Sequence, residues 1–419
     1  MNYIQNIKFT QNLVIEYLYI WLRFLNIFDI ALKKNLLILP LLLIAYLILV
    51  LPGCSLGSNY IKEGQSFRPT GDKKAIYTLY LIGDAGKTRS DDPEPSLISL
   101  GTEILKSHPD SSLVIFLGDN IYDHGLPNEN SPERLRTEGY IKDQINTLGP
   151  KHRALFIAGN HDWDNNSPEG NNLMKNQEIF IRKYSSARAQ LLPENGCQGP
   201  DYIDINDNLR LIFFDSQRLF RDWLNVPDSS ECKPIDMNSF FNNLELILKN
   251  SKGRKCILIH HHPFITYGEH GGKFDWKKHI FPLTAFNKYF LLPLPVVGSL
   301  YPILRNNGIT PQDMSNDIYQ EYSKKMREIS KKYNPVFSAS GHEHSLQVIR
   351  DPVSNTIQII SGKGTRWTDG TVSTGDGTIF ASPFPGFMKY EIYPDGTSLL
   401  TVIVPDDEGK ATEVFYFPL

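Results

Sequence analysis

The sequence predicts an α/β fold, on three observations. Short apolar runs of strand length alternate with longer amphipathic runs through the first half of the chain. The second half is richer in strand-like runs. Several apolar runs stop at a glycine followed by Asp, Asn or His, as strands do where an open α/β sheet presents its carboxyl edge. The strand candidates are 75–82, 113–117, 154–158, 209–214, 256–260, 336–340, 346–350, 357–360 and 388–393. The helix candidates are 96–107, 133–147, 173–190, 236–250 and 316–333. Their alternation argues for βαβ units. No internal repeat is visible.

The chain has 419 residues, enough for one large domain or two smaller ones. Its net charge of −3 and the lack of a basic block give no electrostatic case for nucleic acid. Residues 1–54 differ from the rest. The run LLILPLLLIAYLILVL at 36–51 follows Lys33-Lys34 and is shorter than the roughly 20 apolar residues a bilayer span needs. It reads as a secretory signal, with an uncleaved anchor helix as the alternative. It ends in Leu51-Pro52-Gly53-Cys54, which resembles the lipobox of bacterial lipoproteins. That resemblance implies lipid on Cys54, export and a membrane tether outside the cytoplasm. Residues 1–32 suit neither reading, and after Met1 the next methionine is Met174, so translation is expected to begin near Leu32.

Residues 55–74 are polar and read as a tether, leaving 75–419 as the main domain. An insertion at 271–313 carries FPLTAFNKYFLLPLPVVGSLYPIL, whose prolines exclude a spanning helix. It is expected to pack on the domain rather than to form a lid or a membrane-facing surface. Residues 361–387 are rich in Gly, Thr and Pro and read as a long loop. Cys256 opens a strand and is expected to be buried. An exported chain permits Cys197 and Cys232, both in polar loops, to pair, but spacing does not settle it.

Chemistry gathers at the strand ends. YLIGDAG places Asp84, IFLGDNIY places Asp119 and Tyr122, and LFIAGNHDW places Asn160, His161 and Asp162. ILIHHHP places His260, His261 and His262, and FSASGHEH places His342 and His344. Singly, each has a structural explanation as a turn residue, cap or packed ring. Together they would bring carboxylates, an amide oxygen and imidazoles to one sheet edge, where they repel or go unpaired without cations. The set suits two divalent or trivalent ions, the usual device for attacking phosphate esters. Asp215-Ser216 reads only as another strand end.

The ordered set GDAG, GDNIY, GNHD, HHP…EHG and GHEH resembles the calcineurin-like metallophosphoesterases and, more narrowly, the purple acid phosphatases. The resemblance covers about 75–365. It implies a sandwich of two mixed β-sheets flanked by helices, in four αββα layers. Asp84 is followed by Ala85-Gly86, so the Asp-x-His of most of the superfamily is absent. The purple acid phosphatases share this gap and fill it with the tyrosine that Tyr122 matches. The resemblance implies Asp84, Asp119, Tyr122 and His344 around a first ion, Fe(III). Asp119 bridges to a second, Fe(II), Zn(II) or Mn(II), completed by Asn160, His261 and His342. Strand alternation cannot choose among the three consecutive histidines, whereas the family pattern selects His261.

The implied reaction is attack on phosphorus by water activated between the ions, with His161 protonating the leaving group and Asp162 orienting its ring. His270 is the second candidate for proton donation or phosphate binding. The expected substrate is a phosphorylated small molecule or phosphoprotein, hydrolysed as a monoester. A phosphodiesterase or nucleotide hydrolase on the same metals is the alternative. A non-catalytic surface lipoprotein is a third reading, disfavoured because every expected ligand position is filled.

Overall fold

Strand ends set at one level are what allow distant motifs to meet, and the register supplies this. A computed structural model describes residues 55–64, 74–89, 91–227, 232–285, 291–294 and 297–419. The signal, Cys54 and the expected internal start lie outside the described residues. In chain order the first half runs β1 (Tyr60–Ile61), β2 (Tyr77–Ile82), α1 (Pro95–Ile104), β3 (Ser112–Phe116), α2 (Arg134–Asn146), β4 (Ala154–Phe156), α3 (Gly170–Tyr184), β5 (Ala189–Leu191), β6 (Asp201–Asn206), β7 (Leu209–Phe213), α4 (Ser216–Trp223) and α5 (Met237–Lys249). It continues with β8 (Lys255–Ile259), α6 (Trp276–Ile280), α7 (Leu300–Asn306), α8 (Asp317–Tyr333), β9 (Phe337–Ser340), β10 (Leu346–Arg350), β11 (Ile357–Ser361), β12 (Thr378–Ser382), β13 (Phe387–Ile392), β14 (Ser398–Pro405) and β15 (Ala411–Pro418).

Two mixed sheets form. One has the order β1-β12-β10-β11-β9-β8-β7-β6, the other β15-β14-β13-β2-β3-β4-β5. The strands that carry the motifs are parallel: β2, β3, β4 and β5 in one sheet, β7, β8, β9 and β11 in the other. Ile82 is level with Phe116 and Phe116 with Phe156, so the loops holding Asp84, Asp119 and Asn160 leave side by side. Ile259 is level with Ala339, which brings out the triple-histidine and GHEH loops together.

Alternation along each strand buries both faces. Leu79 and Leu81 of β2 point between the sheets, among Ile115, Phe213, Ile257, Ile259 and Ala339. Tyr80 and Ile82 point the other way, under α1, α2 and α3. The outer face of the sheet holding β7 and β8 is covered by α4, α5 and α8 through Phe220, Phe240, Tyr319 and Tyr322. The result is the expected αββα order.

Helix starts follow capping chemistry. Asp215, Asp236 and Asn316 accept backbone N–H groups at the starts of α4, α5 and α8. Asp215, read from sequence as a strand end, is therefore a helix cap; it also accepts the Trp163 indole N–H at 2.7 Å. The 173–190 helix stops at Tyr184, because Ser186 and Ala187 adopt φ of 53° and 62°, and the chain then pairs as β5. Within the long loop expected at 361–387, residues 378–382 form β12, whose partner β1 lies in the stretch read as a tether. Cys197 and Cys232 are bonded, with Cα atoms 5.5 Å apart, and Cys256 is free and buried.

Lys363, just past β11, is buried with its ammonium donating to the Thr368 carbonyl. Burial pulls its pKa down to about 8, against the opposing pull of Asp369, Glu94 and Asp84. A depressed lysine binds its proton in the unfolded chain but not in the folded one between the two pKa values, so stability rises with pH from about 8 to about 10.5. Relative to Lys363→Met, the wild-type chain is expected to gain up to roughly 3 kcal/mol of unfolding free energy across that window. Denaturant unfolding of both proteins at pH 7, 8.5 and 10 checks this; a pH-independent difference contradicts it.

Candidate metal centre

The loops that follow the parallel strands turn sharply. Asp84, Asp119 and His342 all adopt left-handed backbone, with φ of 57°, 52° and 67°. Such conformations cost about 1–3 kcal/mol each and gather where geometry serves a site. Two glycines make the close approach possible. A Cβ on Gly159 would collide with Asp119 Oδ1, and one on Gly341 with Asp84 Oδ2.

The seven side chains expected to hold ions come together. Among the described residues, Asp84, Asp119 and His261 offer donor atoms all within 4.8 Å of one another, and all three are buried. The Tyr122 hydroxyl lies 2.9 Å from Asp84 Oδ1, 3.1 Å from Asp119 Oδ2 and 2.9 Å from His344 Nε2. Asn160 Oδ1 lies 3.1 Å from His261 Nε2 and 2.9 Å from His342 Nδ1.

The far nitrogen of each ring decides what these contacts mean. His261 Nδ1 lies 2.7 Å from the Leu117 carbonyl, His342 Nε2 lies 2.9 Å from that of Gln312, and His344 Nδ1 bonds that of Asp369. A carbonyl only accepts, so each of those outer nitrogens carries a hydrogen and the other nitrogen is turned inward, a bare lone pair whenever the ring is neutral. Metal-binding histidines are oriented in this way. Around Tyr122, two carboxylates and a lone pair then compete for one hydroxyl proton. Around Asn160 Oδ1, two lone pairs face an acceptor. Acceptors converging without enough protons fit cations.

The electrostatics agree. Burial, then the carboxylates of Asp119 and Asp84, push the Tyr122 hydroxyl well above the ordinary phenol value. Burial alone would lower His261, yet Asp119 and Asp84 draw positive charge onto it and push it up to about 9, so its inward nitrogen takes a proton where a cation would otherwise face the carboxylates, and the lone pair is offered when a cation displaces that proton. Asp119, which burial would raise, is held low by His261 and His161. Burial and the rings of His270, His262 and His261 hold His342 neutral.

The other two consecutive histidines have no nitrogen to spare. His262 bonds Ser216 Oγ and Gln312 Oε1, each at 2.8 Å. His260 bonds the His262 carbonyl at 2.8 Å and Ser338 Oγ at 2.5 Å. Of the three, only His261 faces the carboxylates.

His161 and His270 flank the cluster. The His161 amide donates to Asp119 Oδ1 at 2.8 Å, and its ring sits 4.4 Å from that of Tyr122. Its Nδ1 lies 2.8 Å from the Asp123 carbonyl, which leaves Nε2 available. Asp162 does not orient this ring. It is fully buried and accepts the Gly159, Asn120 and Ile121 amides at 2.8–3.1 Å, so it ties the Asp119 and Asn160 loops together. The His270 ring lies 3.9 Å from that of His342, with Nδ1 3.1 Å from Asp313 Oδ1. Arg305 in turn grips Asp313, with Nε 2.7 Å from Oδ2.

Sequence reading missed Arg305, Gln312 and Asp313. They lie in the insertion, far from any strand end, and no local motif marks them. Gln312 supplies both a carbonyl to His342 and a side chain to His262. The insertion thus packs on the domain through its returning arm, while Trp276, Leu300, Ile303, Leu304 and Ile309 stay exposed.

Comparison with known proteins agrees with this geometry. The chain is similar to purple acid phosphatase 17 of Arabidopsis thaliana, 22% identical over 84% of this chain and 85% of that one. It is also similar to purple acid phosphatase 3 of the same plant, 23% identical over 81% of this chain and 74% of that one. Its fold is similar to that of GAP50, the anchor in the inner membrane complex of Plasmodium, with a TM-score of 0.51, 14% identity, and coverage of 83% of this chain and 89% of that one. The family model for calcineurin-like phosphoesterases matches residues 77–346, from the first strand of the core to the end of the GHEH motif. The chain therefore belongs to the calcineurin-like phosphoesterase family and is a metal-dependent phosphoesterase.

Proposed function

We propose that this phosphoesterase is an exported, membrane-tethered acid phosphatase that hydrolyses phosphomonoesters at a two-cation centre. The observation that carries the reading is the convergence on Tyr122 and Asn160 of lone pairs whose outer nitrogens are fixed by backbone carbonyls. Asp84, Asp119, Tyr122 and His344 would hold Fe(III), for which a phenolate oxygen is a strong anionic partner. Asp119, Asn160, His261 and His342 would hold the second ion, Fe(II), Zn(II) or Mn(II). When bound, the two cations supply Lewis acidity toward the phosphoryl oxygens and a nucleophile from water near neutral pH.

The chain's own residues do the rest. The carbonyl of Asp123 fixes the His161 ring so that Nε2 can deliver a proton to the leaving alkoxide. His270, braced by Asp313, is placed to meet the phosphoryl group. Asp162 keeps the Asp119 and Asn160 loops in register throughout. Membrane tethering rests on the apolar run 36–51 and Cys54, and the Cys197–Cys232 bond suits an oxidising compartment.

The test is turnover of p-nitrophenyl phosphate beside bis(p-nitrophenyl) phosphate across pH 4–8. A higher kcat/KM for the monoester, greatest on the acid side, is expected. Preference for the diester overturns the monoesterase reading in favour of a phosphodiesterase.

A further inference from the structure

Among the described residues, most exposed apolar side chains stand apart from one another along the chain, which is ordinary. Within the insertion several of them fall between residues 276 and 309. Trp276 at the start of α6, Leu300, Ile303 and Leu304 on α7, and Ile309 just after it are between 39% and 66% exposed. The residues leading into α6 are held against α7. The ring of buried Phe274 lies 6.1 Å from that of Tyr301, and Arg305 lies over both. Arg305 is also bound to Asp313, so α7 cannot easily roll its apolar side inward. Lys277 is exposed beside Trp276, with Lys273 and Lys278 close in sequence. Exposed aromatic, aliphatic and lysine side chains mixed over two neighbouring short helices form the composition that settles at a membrane–water interface.

The place where the described chain begins points to what covers this face. The Leu56 amide bonds the Val372 carbonyl at 2.6 Å, and Val372 pairs with Gly268. The neighbouring Thr371 hydroxyl donates to the Lys273 carbonyl at 3.2 Å. The chain thus enters the folded body at the root of the insertion. Leu56 lies two positions after Cys54, the lipid-bearing residue of the tethered reading, a reach of at most about 7 Å, and five positions after Leu51, the last residue of the apolar run. Three residues separate Lys273 from Trp276, at most about 11 Å. A tether at Cys54, by its lipid or by the apolar run before it, holds the insertion within reach of the same bilayer.

We propose that α6, α7 and Ile309 form a docking face for the lipid bilayer that the N-terminal segment enters. The face seats Trp276, Leu300, Ile303, Leu304 and Ile309 at the headgroup–acyl boundary, with Lys273 and Lys277 toward anionic headgroups. Because Arg305 and Gln312 leave the same segment to brace His270 and His342, the docked face lies directly behind the metal-centre wall. The inference rests on the membrane-tethered reading above.

The test reconstitutes the full chain into vesicles of phosphatidylcholine with one quarter phosphatidylglycerol, and isolates the Trp276 emission as the difference between wild type and Trp276→Phe. Flotation with the vesicles, a blue-shifted Trp276 component and its quenching by brominated lipid are expected. Ile303→Glu with Leu304→Glu should lose the quenching while the protein still floats and hydrolyses a soluble phosphate ester at the wild-type rate. Ile309→Glu, on a loop, gives the same reading in smaller degree without burdening a helix. A chain that floats with Trp276 as open to acrylamide as in detergent overturns the docking face and leaves the tether standing. A chain that does not float overturns both, while ester hydrolysis reports separately on the phosphoesterase.

Discussion

His161→Ala is expected to lower turnover of an alkyl phosphate by about 10²–10⁴-fold. Metal content should be unchanged, because the ring touches Tyr122 only by packing and its backbone amide, not its side chain, meets Asp119. The size of the loss should depend on the leaving group. An alkoxide cannot depart unprotonated, whereas p-nitrophenolate is stable enough to leave with little help. Comparing kcat for an alkyl and a nitrophenyl ester in wild type and variant checks the role. Equal losses on both esters would remove His161 from proton delivery.

Asp119→Asn is expected to remove more. Its carboxylate faces Tyr122 and His261 and also receives the His161 amide. Asparagine keeps the size and tolerates the left-handed backbone, so the fold should persist. What goes is the anion shared by both proposed ion sites. Loss of an outer partner typically costs about 10–100-fold in metal affinity, and loss of this ligand should exceed that, leaving ester hydrolysis near background. Metal analysis and assay with added Fe, Zn or Mn test it. A variant that keeps two ions and its activity contradicts the shared-ligand role.

Much of this was legible because strand ends announce themselves. Asp84, Asp119, Asn160, His261 and His342 each follow a short apolar run, and parallel register alone brings such positions together. Tyr122 was legible only through the resemblance to the purple acid phosphatases, which share the missing histidine after the first aspartate and place a tyrosine where Tyr122 stands. Asp162 was visible but misjudged, since a carboxylate beside a histidine reads as its partner, and only the folded loops show three backbone amides converging on it. The hairpin of β14 and β15 passed unnoticed because the sequence reading ended its strands at 393. Arg305, Gln312 and Asp313 were illegible. Their contacts reach across 30 to 50 residues to His270, His342 and His262, and no periodicity encodes a contact of that kind.

The central claim is a two-cation centre in which Tyr122 is a ligand. The most direct measurement is metal content together with the visible absorption spectrum of the full-length, mildly oxidised protein beside Tyr122→Phe. Two ions per chain, with a visible band present in wild type and lost in the variant, is the predicted result. A chain that binds no metal, or one whose spectrum and metal content Tyr122→Phe leaves unchanged, would contradict it.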